Sequence, residues 1–194
     1  VLKHFEKEVR RGWMLGPLYA LPFAWIRFCR LSIVPKHKWI PLSSEFRLIS
    51  DFSAHGSSSM NDCTYSPKLL SGGYSRGCDV RDAVASMGPD SWFAGADVPS
   101  CFRQQVNPRD VLNAMVYSIN EGEFFVDLRN PFGFRPSEWA WQCILAVISW
   151  RLRTISPPGA VQLAQVDNFF RFASSQSKAK AALARLTTTF DAVG

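Results

Sequence analysis

The stretch WFAGADVPSCFRQ, residues Trp92–Gln104, carries a carboxylate, Asp97, at the end of an apolar run. The apolar run predicts a buried strand over Ser91–Val98 that leads into the short segment PSCFRQ. A carboxylate at the end of such a strand is either a turn residue or a metal ligand, and a single residue does not decide between the two. The answer depends on which other acidic side chains the fold brings near it.

A second carboxylate, Asp167, has an equivalent place in the segment QVDNFF. Val161–Val166 and Phe169–Phe172 flank Asp167-Asn168, which predicts a hairpin with those two residues at its tip. A site that uses two divalent ions needs acidic side chains that hold the ions about 3.5–4 Å apart. Asp97 and Asp167 are therefore a candidate pair of metal ligands.

The rest of the chain alternates helical and strand patterns, which predicts an α+β fold with helices on one side of a sheet. The strongest helical pattern covers Pro136–Ser156 and is followed by Pro157-Pro158-Gly159 as a stop signal. Residues 13–45 are rich in proline and aromatic residues and predict an irregular lobe. The other predicted elements are a helix ending near Gly12, a strand in Glu45–Ser53, a loop over Ala54–Asp62, a helix over Asp79–Met87, strands in Val111–Ile119 and Phe124–Leu128, and a helix from Ser174 with Ala179, Ala182, Leu183, Leu186 and Phe190 on one face.

The positive charge is concentrated in the first fifty residues. The formal net charge is +6. Residues 1–50 hold nine Lys and Arg against three Glu, and 9 − 3 = +6, so the remaining 144 residues sum to zero. This asymmetry favours a polyanionic partner met mainly by the N-terminal part, and a solvated basic surface is the alternative. The nine cations are Lys3, Lys7, Arg10, Arg11, Arg27, Arg30, Lys36, Lys38 and Arg47.

The composition excludes several other classes. The five cysteines form no CxxC pair and are odd in number, which argues against a zinc site and a disulfide framework and favours buried thiols in a reducing compartment.

No apolar run reaches the roughly 20 residues that span a bilayer, and no signal peptide is visible, so we expect an intracellular protein of the nucleus or cytoplasm. No phosphate-binding GxxxxGK[ST] loop and no nucleophile elbow occur. The first residue is Val1, which favours a segment of a longer polypeptide.

Four blocks of the sequence resemble the motif series of reverse transcriptases, in the family's order. LSIVPK (Leu31–Lys36), EFRLISDFS (Glu45–Ser53) and GSSSMND (Gly56–Asp62) resemble the fingers pattern "PK … RLIxDxS … SVND". WFAGADVPSCFRQ with the following NPRD resembles the palm motif around the first catalytic aspartate. VDLRNPFGFRPSEWAW (Val126–Trp141) and QVDNFF (Gln165–Phe170) resemble "LPFGLxxSPxxF" and "YxDDFL". The forms of these motifs are nearest to DIRS-like retrotransposons, which carry a tyrosine recombinase.

The resemblance implies a right-hand polymerase with fingers and palm, an antiparallel palm sheet with helices packed on one face, and no thumb. It places a fingers-like basic lobe in residues 1–75 and an incomplete palm in residues 76–194. The implied partners are an RNA or DNA template-primer and deoxynucleoside triphosphates, with no membrane. The thumb and the RNase H-type modules would lie in a longer parent polypeptide.

The resemblance also implies a role for individual residues. Asp97 and Asp167 would hold the catalytic ions, Mg²⁺ or Mn²⁺, through oxygen ligands. Phe102 would form the flat wall under the incoming sugar, with a core aromatic as the alternative. Lys36 and Arg47 would bind the triphosphate, with ordinary surface charge as the alternative. Phe132 and Gly133 would pack against nucleotide and template, and Gly133 is otherwise a plain turn glycine.

One departure from the family pattern bears on activity. The family has two adjacent aspartates in its last motif, and here the second position is Asn168, which offers a carbonyl oxygen without charge. The leading hypothesis is an RNA-directed DNA polymerase segment that transfers nucleotides onto a primer 3′ end. The alternative is a degenerate or co-opted copy that binds nucleic acid without catalysis, and a basic RNA-binding module is a third.

Overall fold

The computed structural model of the chain describes residues 1–36, 46–54, 59–64, 74–156 and 159–193. Within these ranges the fold is mixed α and β, and every sheet is antiparallel. The predicted loop over Ala54–Asp62 lies in part outside the described residues, and so does the predicted helix stop at Pro157-Pro158. The helices are α1 (Leu2–Arg10), α2 (Gly77–Met87), α3 (Arg135–Ile155) and α4 (Gln176–Val193), and the strands are β1 (Met14–Leu18), β2 (Arg30–Pro35), β3 (Phe46–Asp51), β4 (Trp92–Asp97), β5 (Val116–Asn120), β6 (Glu123–Asp127), β7 (Val161–Gln165) and β8 (Asn168–Ala173).

The chain forms two compact units that are each discontinuous in sequence. The first unit comprises Val1–Ser66 and Phe102–Glu138, and the second comprises Pro67–Cys101 and Trp139–Gly194. The division predicted from the sequence, a fingers-like lobe over 1–75 and a palm over 76–194, stays a prediction. In the structure, residues 102–138 belong with the N-terminal residues, because β6 pairs with β1.

The first unit contains a three-stranded sheet in the order β1–β6–β5 and a separate ribbon of β2 and β3. Its core is a group of buried apolar side chains contributed by α1, the sheet and the segment after β3. Phe5 of α1 packs edge-on against Tyr117 and Phe125, which fixes the helix to the sheet. The core residues are Phe5, Met14, Cys29, Phe52, Met115, Tyr117, Phe125 and Phe134.

The prediction of an irregular lobe over residues 13–45 was wrong for the described part, because β1 and β2 lie there. β1 pairs with β6, far along the chain, and β2 pairs with β3. Because both strands are stabilised by pairing with another segment, local periodicity did not reveal the two strands. The predicted strand over Val111–Ile119 is also shorter than expected. Its first residues form a 3₁₀ helix, Arg109–Ala114, and β5 begins only at Val116.

The second unit contains the sheet β4–β8–β7, with β8 in the centre. Helix α4 lies against β4 and β8, and α2 lies against β7 and β8. Alternate residues of β8 face opposite sides of the sheet, and Phe169 meets Phe190 of α4 edge-on. The apolar stripe predicted for this last helix is confirmed in its centre, where Ala179, Ala182 and Leu186 are buried.

Helix α3 begins and ends within one residue of its predicted bounds, with Pro136 as its second residue. The helix carries three tryptophans, and an apolar helical run predicts such residues in the core. Only Trp141 is buried, whereas Trp139 and Trp150 are exposed. The cysteine prediction also needs correction, since Cys29 and Cys101 are buried but Cys63 and Cys143 are exposed. No helix in the described ranges has the length and apolar character needed to cross a membrane.

Candidate functional site

Asp97 is the last residue of β4 and pairs across the sheet with Asn168, the first residue of β8. Directly opposite residues of an antiparallel pair have Cβ atoms about 4.5–5.5 Å apart and point to the same face. The side chains of Asp97 and Asn168 therefore lie side by side at one end of the sheet. Both residues are exposed.

Asp167 occupies the two-residue turn between β7 and β8. The backbone N–H of Val98 donates to the carbonyl oxygen of Asp167 at 2.8 Å, so the end of β4 is bonded directly to this turn. The sequence predicted Asp167 and Asn168 as the tip, but the tip is Val166-Asp167. Asn168 is consequently a strand residue that faces Asp97, and all three side chains gather at one sheet end.

The turn has an unusual backbone at Val166, whose φ is +53°. A β-branched residue rarely adopts this left-handed conformation, because Cβ crowds the backbone there. The conformation is held by a hydrogen bond of 2.6 Å from Trp141 Nε1 to the Val166 carbonyl, in addition to the bond between Val98 and Asp167. Strained backbone fixed by its surroundings is typical of functional sites.

The donor set at this sheet end suits an oxygen-seeking cation. Asp97 and Asp167 contribute carboxylates, and Asn168 adds a side-chain amide whose Nδ2 donates to Asp167 Oδ1 at 3.0 Å. Within the described ranges neither carboxylate forms an ion pair with a basic side chain. The same ranges contain no group of three or more His, Cys, Asp and Glu side chains placed to share a metal ion. The residue opposite Asp97 in the sheet is Asn168, an amide and not a carboxylate.

Lys36 and Arg47 lie at the same end of the β2–β3 ribbon in the first unit. Arg47 pairs with Val34, and Lys36 follows Pro35, the last residue of β2. Both side chains are exposed. The register thus places two predicted triphosphate-binding cations within two residue positions of each other.

Phe102 and Phe132 form a pair of aromatic rings in the first unit, with centroids 5.8 Å apart and planes inclined by 44°. Phe102 is buried at 8% exposure, whereas Phe132 is 70% exposed. The burial of Phe102 agrees with the alternative interpretation of this residue, in which it is a core aromatic. The ring that solvent reaches is Phe132, which covers part of Phe102.

Position 133 requires a glycine both because of its backbone conformation and because of the atoms around it. Its φ is +90°, and a Cβ at this position would lie 3.0 Å from the carbonyl oxygen of Ser50. On the other side, the Gly133 carbonyl accepts a hydrogen bond of 2.9 Å from Asn61 Nδ2. The turn between Phe132 and Phe134 is therefore fixed between β3 and the segment of Asn61, a residue to which the sequence assigned no role.

The sequence also gave no sign of a buried ion cluster formed by Glu8, Arg103 and Asp127. Arg103 donates to both carboxylate oxygens of Asp127, at 2.7 and 2.5 Å, and to Glu8 Oε2 at 2.9 Å. The guanidinium of Arg103 also lies 5.5 Å from the ring centroid of Trp13. These residues are far apart along the chain. In the sequence each of them is a charge within an otherwise apolar or mixed segment, which does not predict that the three meet.

Burial and pairing act in opposite directions on Asp127. Burial raises the pKa of Asp127 to about 6, although the Arg103 guanidinium opposes this rise. The pKa of Arg103 is itself raised, because Asp127 and Glu8 outweigh its own burial. Asp127 is 3% exposed, so the removal of its carboxylate from water is the larger effect. Its oxygens are taken by Arg103 and by the Arg129 backbone N–H at 3.1 Å, which makes this cluster structural.

The structure thus gathers the predicted site residues into two groups. Asp97, Asp167 and Asn168 meet in the second unit, and the predicted nucleotide-binding residues Lys36, Arg47, Phe102, Phe132 and Gly133 all lie in the first.

Neither a protein-family model nor a curated protein matches this sequence. The fold is similar to that in a crystal structure of the prototype foamy virus protease–reverse transcriptase CSH mutant, with a TM-score of 0.69 over 97% of this chain. The sequence identity is 12%, and the chain spans 21% of the length of that chain. At this identity the likeness concerns the fold alone. The fold of this chain is therefore reverse-transcriptase-like.

Proposed function

We propose that this chain is the nucleotidyl-transfer segment of an RNA-directed DNA polymerase from a retroelement, nearest in its motifs to DIRS-like elements. The observation that carries the proposal is the register of β4 and β8, which sets Asp97 opposite Asn168 and next to Asp167. The reverse-transcriptase-like fold supports it. The places of the two carboxylates, one in the last residue of a strand and one in the adjacent turn, agree with the motif resemblance of the sequence. The substrates are deoxynucleoside triphosphates and a template-primer.

In this proposal Asp97 and Asp167 hold Mg²⁺ or Mn²⁺ through their carboxylate oxygens. The fit rests on oxygen donors at an exposed sheet end without a competing ion pair in the described ranges. When bound, the ions stabilise the negative charge that develops in phosphoryl transfer. The strained Val166 turn keeps the Asp167 backbone bonded to the strand end of Asp97, so that the two carboxylates need little reorganisation.

The first unit would bind the nucleotide. Lys36 and Arg47 at the end of the β2–β3 ribbon supply positive charge for the triphosphate, and the Arg47 guanidinium can bind phosphate oxygens through two donors. Phe132 offers an exposed aromatic ring to the base or sugar, and Phe102 backs it. Gly133 keeps the backbone behind this ring free of a side chain, so that β3 can approach closely.

The test is primer extension by the chain, and by the longest polypeptide that contains it, in Mg²⁺ or Mn²⁺. We expect Asp97→Ala to lower incorporation by at least about 10²-fold, because a metal ligand is lost. The matched control is Asp90→Ala, an exposed aspartate just before β4, and it should leave incorporation unchanged. Equal incorporation by wild type and Asp97→Ala would remove Asp97 from the mechanism.

A specific observation favours a second function, the binding of nucleic acid without catalysis. Asn168 stands where a third carboxylate would face Asp97, and its Nδ2 ties up one oxygen of Asp167. The substitution Asn168→Asp separates the two functions. If the wild type is inactive and Asn168→Asp gains incorporation, the site is a degenerate polymerase site. If neither incorporates nucleotides in any metal while both retard a template-primer in a binding assay, the binding function is favoured.

A further inference from the structure

Asn61 is a buried side chain whose hydrogen bonds connect three separate segments of the first unit. It is 6% exposed. Its Nδ2 donates to Ser53 Oγ and to the Gly133 carbonyl, both at 2.9 Å, and its Oδ1 accepts from the backbone N–H of Arg135 at 2.8 Å. An asparagine side chain has two donor hydrogens and one acceptor oxygen, and all of them are used here.

The main chain of Asn61 adds to the same junction. Its N–H donates to the Phe52 carbonyl at 3.0 Å, and its carbonyl accepts from Arg135 Nη1 at 2.7 Å. Arg135 is the first residue of α3, where the backbone N–H has no partner within the helix. Asn61 Oδ1 supplies that partner from 74 residues away. The start of α3 and the end of β3 are thus bonded to the same residue.

The turn that carries Phe132 lies directly before the start of α3. Gly133 is held on one side by Asn61 and approaches Ser50 on the other, where no Cβ would fit without displacement. The neighbouring ring of Phe134 points into the core and packs on Phe52 at 5.2 Å. Phe132 points outward, and its ring meets Phe102. The direction of Phe132 is set by a turn that has bonded neighbours on both sides.

We propose that Asn61 is a positioning residue for nucleotide selection: its bond to Gly133 holds Phe132 against Phe102 and so keeps the aromatic wall at a fixed place. The inference rests on the proposed nucleotidyl-transfer function for the substrate that this wall meets. Its structural part, the hold of Asn61 on the Phe132-Gly133 turn, stands independently of that function. Selection between deoxyribose and ribose depends on where a wall stands, and a displacement of 1 Å can cost about 10²-fold in rate.

Two substitutions separate positioning from a merely structural role. Asn61→Asp keeps the size and the acceptor for Arg135 N–H but puts a carboxylate oxygen where the donor to the Gly133 carbonyl was, whereas the Ser53 hydroxyl can donate to the new carboxylate. Asn61→Ala loses all of them. If Asn61 only completes the start of α3, Asn61→Asp should behave as wild type, whereas a positioning residue makes it behave as Asn61→Ala. The matched control is Thr64→Val, which removes a hydrogen bond of 2.8 Å to the Asn61 carbonyl and leaves Gly133 and Arg135 untouched.

The first readout is steady-state incorporation of a deoxynucleotide and the matching ribonucleotide. We expect Asn61→Asp to raise KM for the deoxynucleotide by about tenfold and to reduce discrimination against the ribonucleotide by a similar factor, with kcat changed less than about threefold. Thr64→Val should show wild-type values. Wild-type KM and discrimination in Asn61→Asp, with an active wild type, would overturn the inference and leave the proposed function intact.

The second readout needs no catalysis. Hydrogen exchange of the backbone amides in residues 132–135 should be faster in Asn61→Asp and Asn61→Ala than in wild type and Thr64→Val. If the wild-type chain incorporates nothing, the proposed function fails and the role in nucleotide selection fails with it, and the exchange rates decide the structural part, the hold of Asn61 on the turn. Faster exchange in Asn61→Asp then supports the hold on the turn, and unchanged exchange overturns it.

Discussion

Two groups of acidic side chains in this molecule have opposite surroundings. In the buried ion cluster, Asp127 and Glu8 have exposures of 3% and 5% and share the guanidinium of Arg103. At the end of the β4–β8–β7 sheet, Asp97 and Asp167 have no ion pair with a basic residue in the described ranges, and Asp97 is exposed. Arg103 balances the charge of the first group, whereas no basic side chain in the described ranges balances the charge of the second group.

The difference separates a structural carboxylate from a candidate ligand. Charge taken out of water is costly and persists only where an opposite charge and hydrogen bonds compensate for it, as Arg103 and the Arg129 amide do for Asp127. An exposed carboxylate at a sheet end keeps lone pairs that can bind a hard cation. Acidity alone therefore does not mark the site, and the partners of each carboxylate do.

The largest effect is expected from a substitution that breaks the buried ion cluster. Arg103→Met leaves Asp127 buried without a countercharge and leaves Glu8 with the ion pair to Arg11 at 3.4 Å. We expect this substitution to lower the free energy of unfolding by about 3–5 kcal/mol. Urea denaturation followed by circular dichroism measures this change. Arg109→Met, at an exposed position of the same segment, should change stability by less than about 0.5 kcal/mol. Similar values for the two variants would show that the cluster contributes nothing to stability.

The second prediction concerns the pH dependence of the same cluster. The pKa of Asp127 is about 6 in the folded chain, above the roughly 3.9 expected when unfolded, so the folded state binds the proton more tightly. The free energy of unfolding should therefore fall as pH rises from about 4 to about 6, by at most about 3 kcal/mol from this group. The raised pKa of Arg103 keeps the guanidinium charged throughout.

Asp127→Asn tests this dependence, because an amide has no proton to lose in that range. Stability measured by thermal melting from pH 4 to pH 7 should decline less in the variant than in wild type. A decline of equal steepness in both proteins would assign it to other groups.

The third prediction applies to the strand-end carboxylates. A cation that binds only the folded chain stabilises it by about 1.4 kcal/mol at ten times its dissociation constant. We expect Mn²⁺ to raise the melting temperature of wild type accordingly and to have no such effect on Asp97→Asn. Asp90→Asn serves as the control for nonspecific charge effects. A shift of the same size in Asp97→Asn would place the cation elsewhere.

The smallest expected effect comes from a substitution at Asn168, the residue that faces Asp97. Asn168→Asp puts a second negative charge directly opposite Asp97, which should lower stability without metal by about 0.2–1 kcal/mol. With Mn²⁺ the order should reverse, because the added carboxylate completes the ligand set. Melting curves of both proteins at several Mn²⁺ concentrations give the crossing point. An absence of any crossing would argue that the sheet end holds no ion.

The two carboxylates Asp97 and Asp167 can be recognised in the sequence because their signal is local. An apolar run that ends in a carboxylate can be recognised without knowing what it pairs with, so Asp97 and Asp167 were found together. The turn was misplaced by one residue, since the pattern gave no reason to put a β-branched Val166 at a φ of +53°. A positive φ at the first residue of a two-residue hairpin turn is common, and the bonds from Trp141 and Val98 hold this turn in place.

The buried ion cluster and the Asn61 junction escaped detection for the opposite reason. Glu8, Arg103 and Asp127 are separated by up to 119 positions, counted as 127 − 8, and each looks like ordinary surface charge. Asn61 was part of a recognised motif, but its partners Gly133 and Arg135 lie more than 70 residues further along. Long-range pairing leaves no periodicity in the chain.

The sequence by itself determined the α+β class, the helices α3 and α4 and the presence of Asp97 and Asp167 at the ends of apolar runs, because short-range patterns encode them. The tertiary structure alone decided which charges are neutralised, which aromatic ring is exposed and which residue holds the Phe132-Gly133 turn. These properties depend on burial and on contacts between distant segments, and burial fixes the energy of a charge or a hydrogen bond.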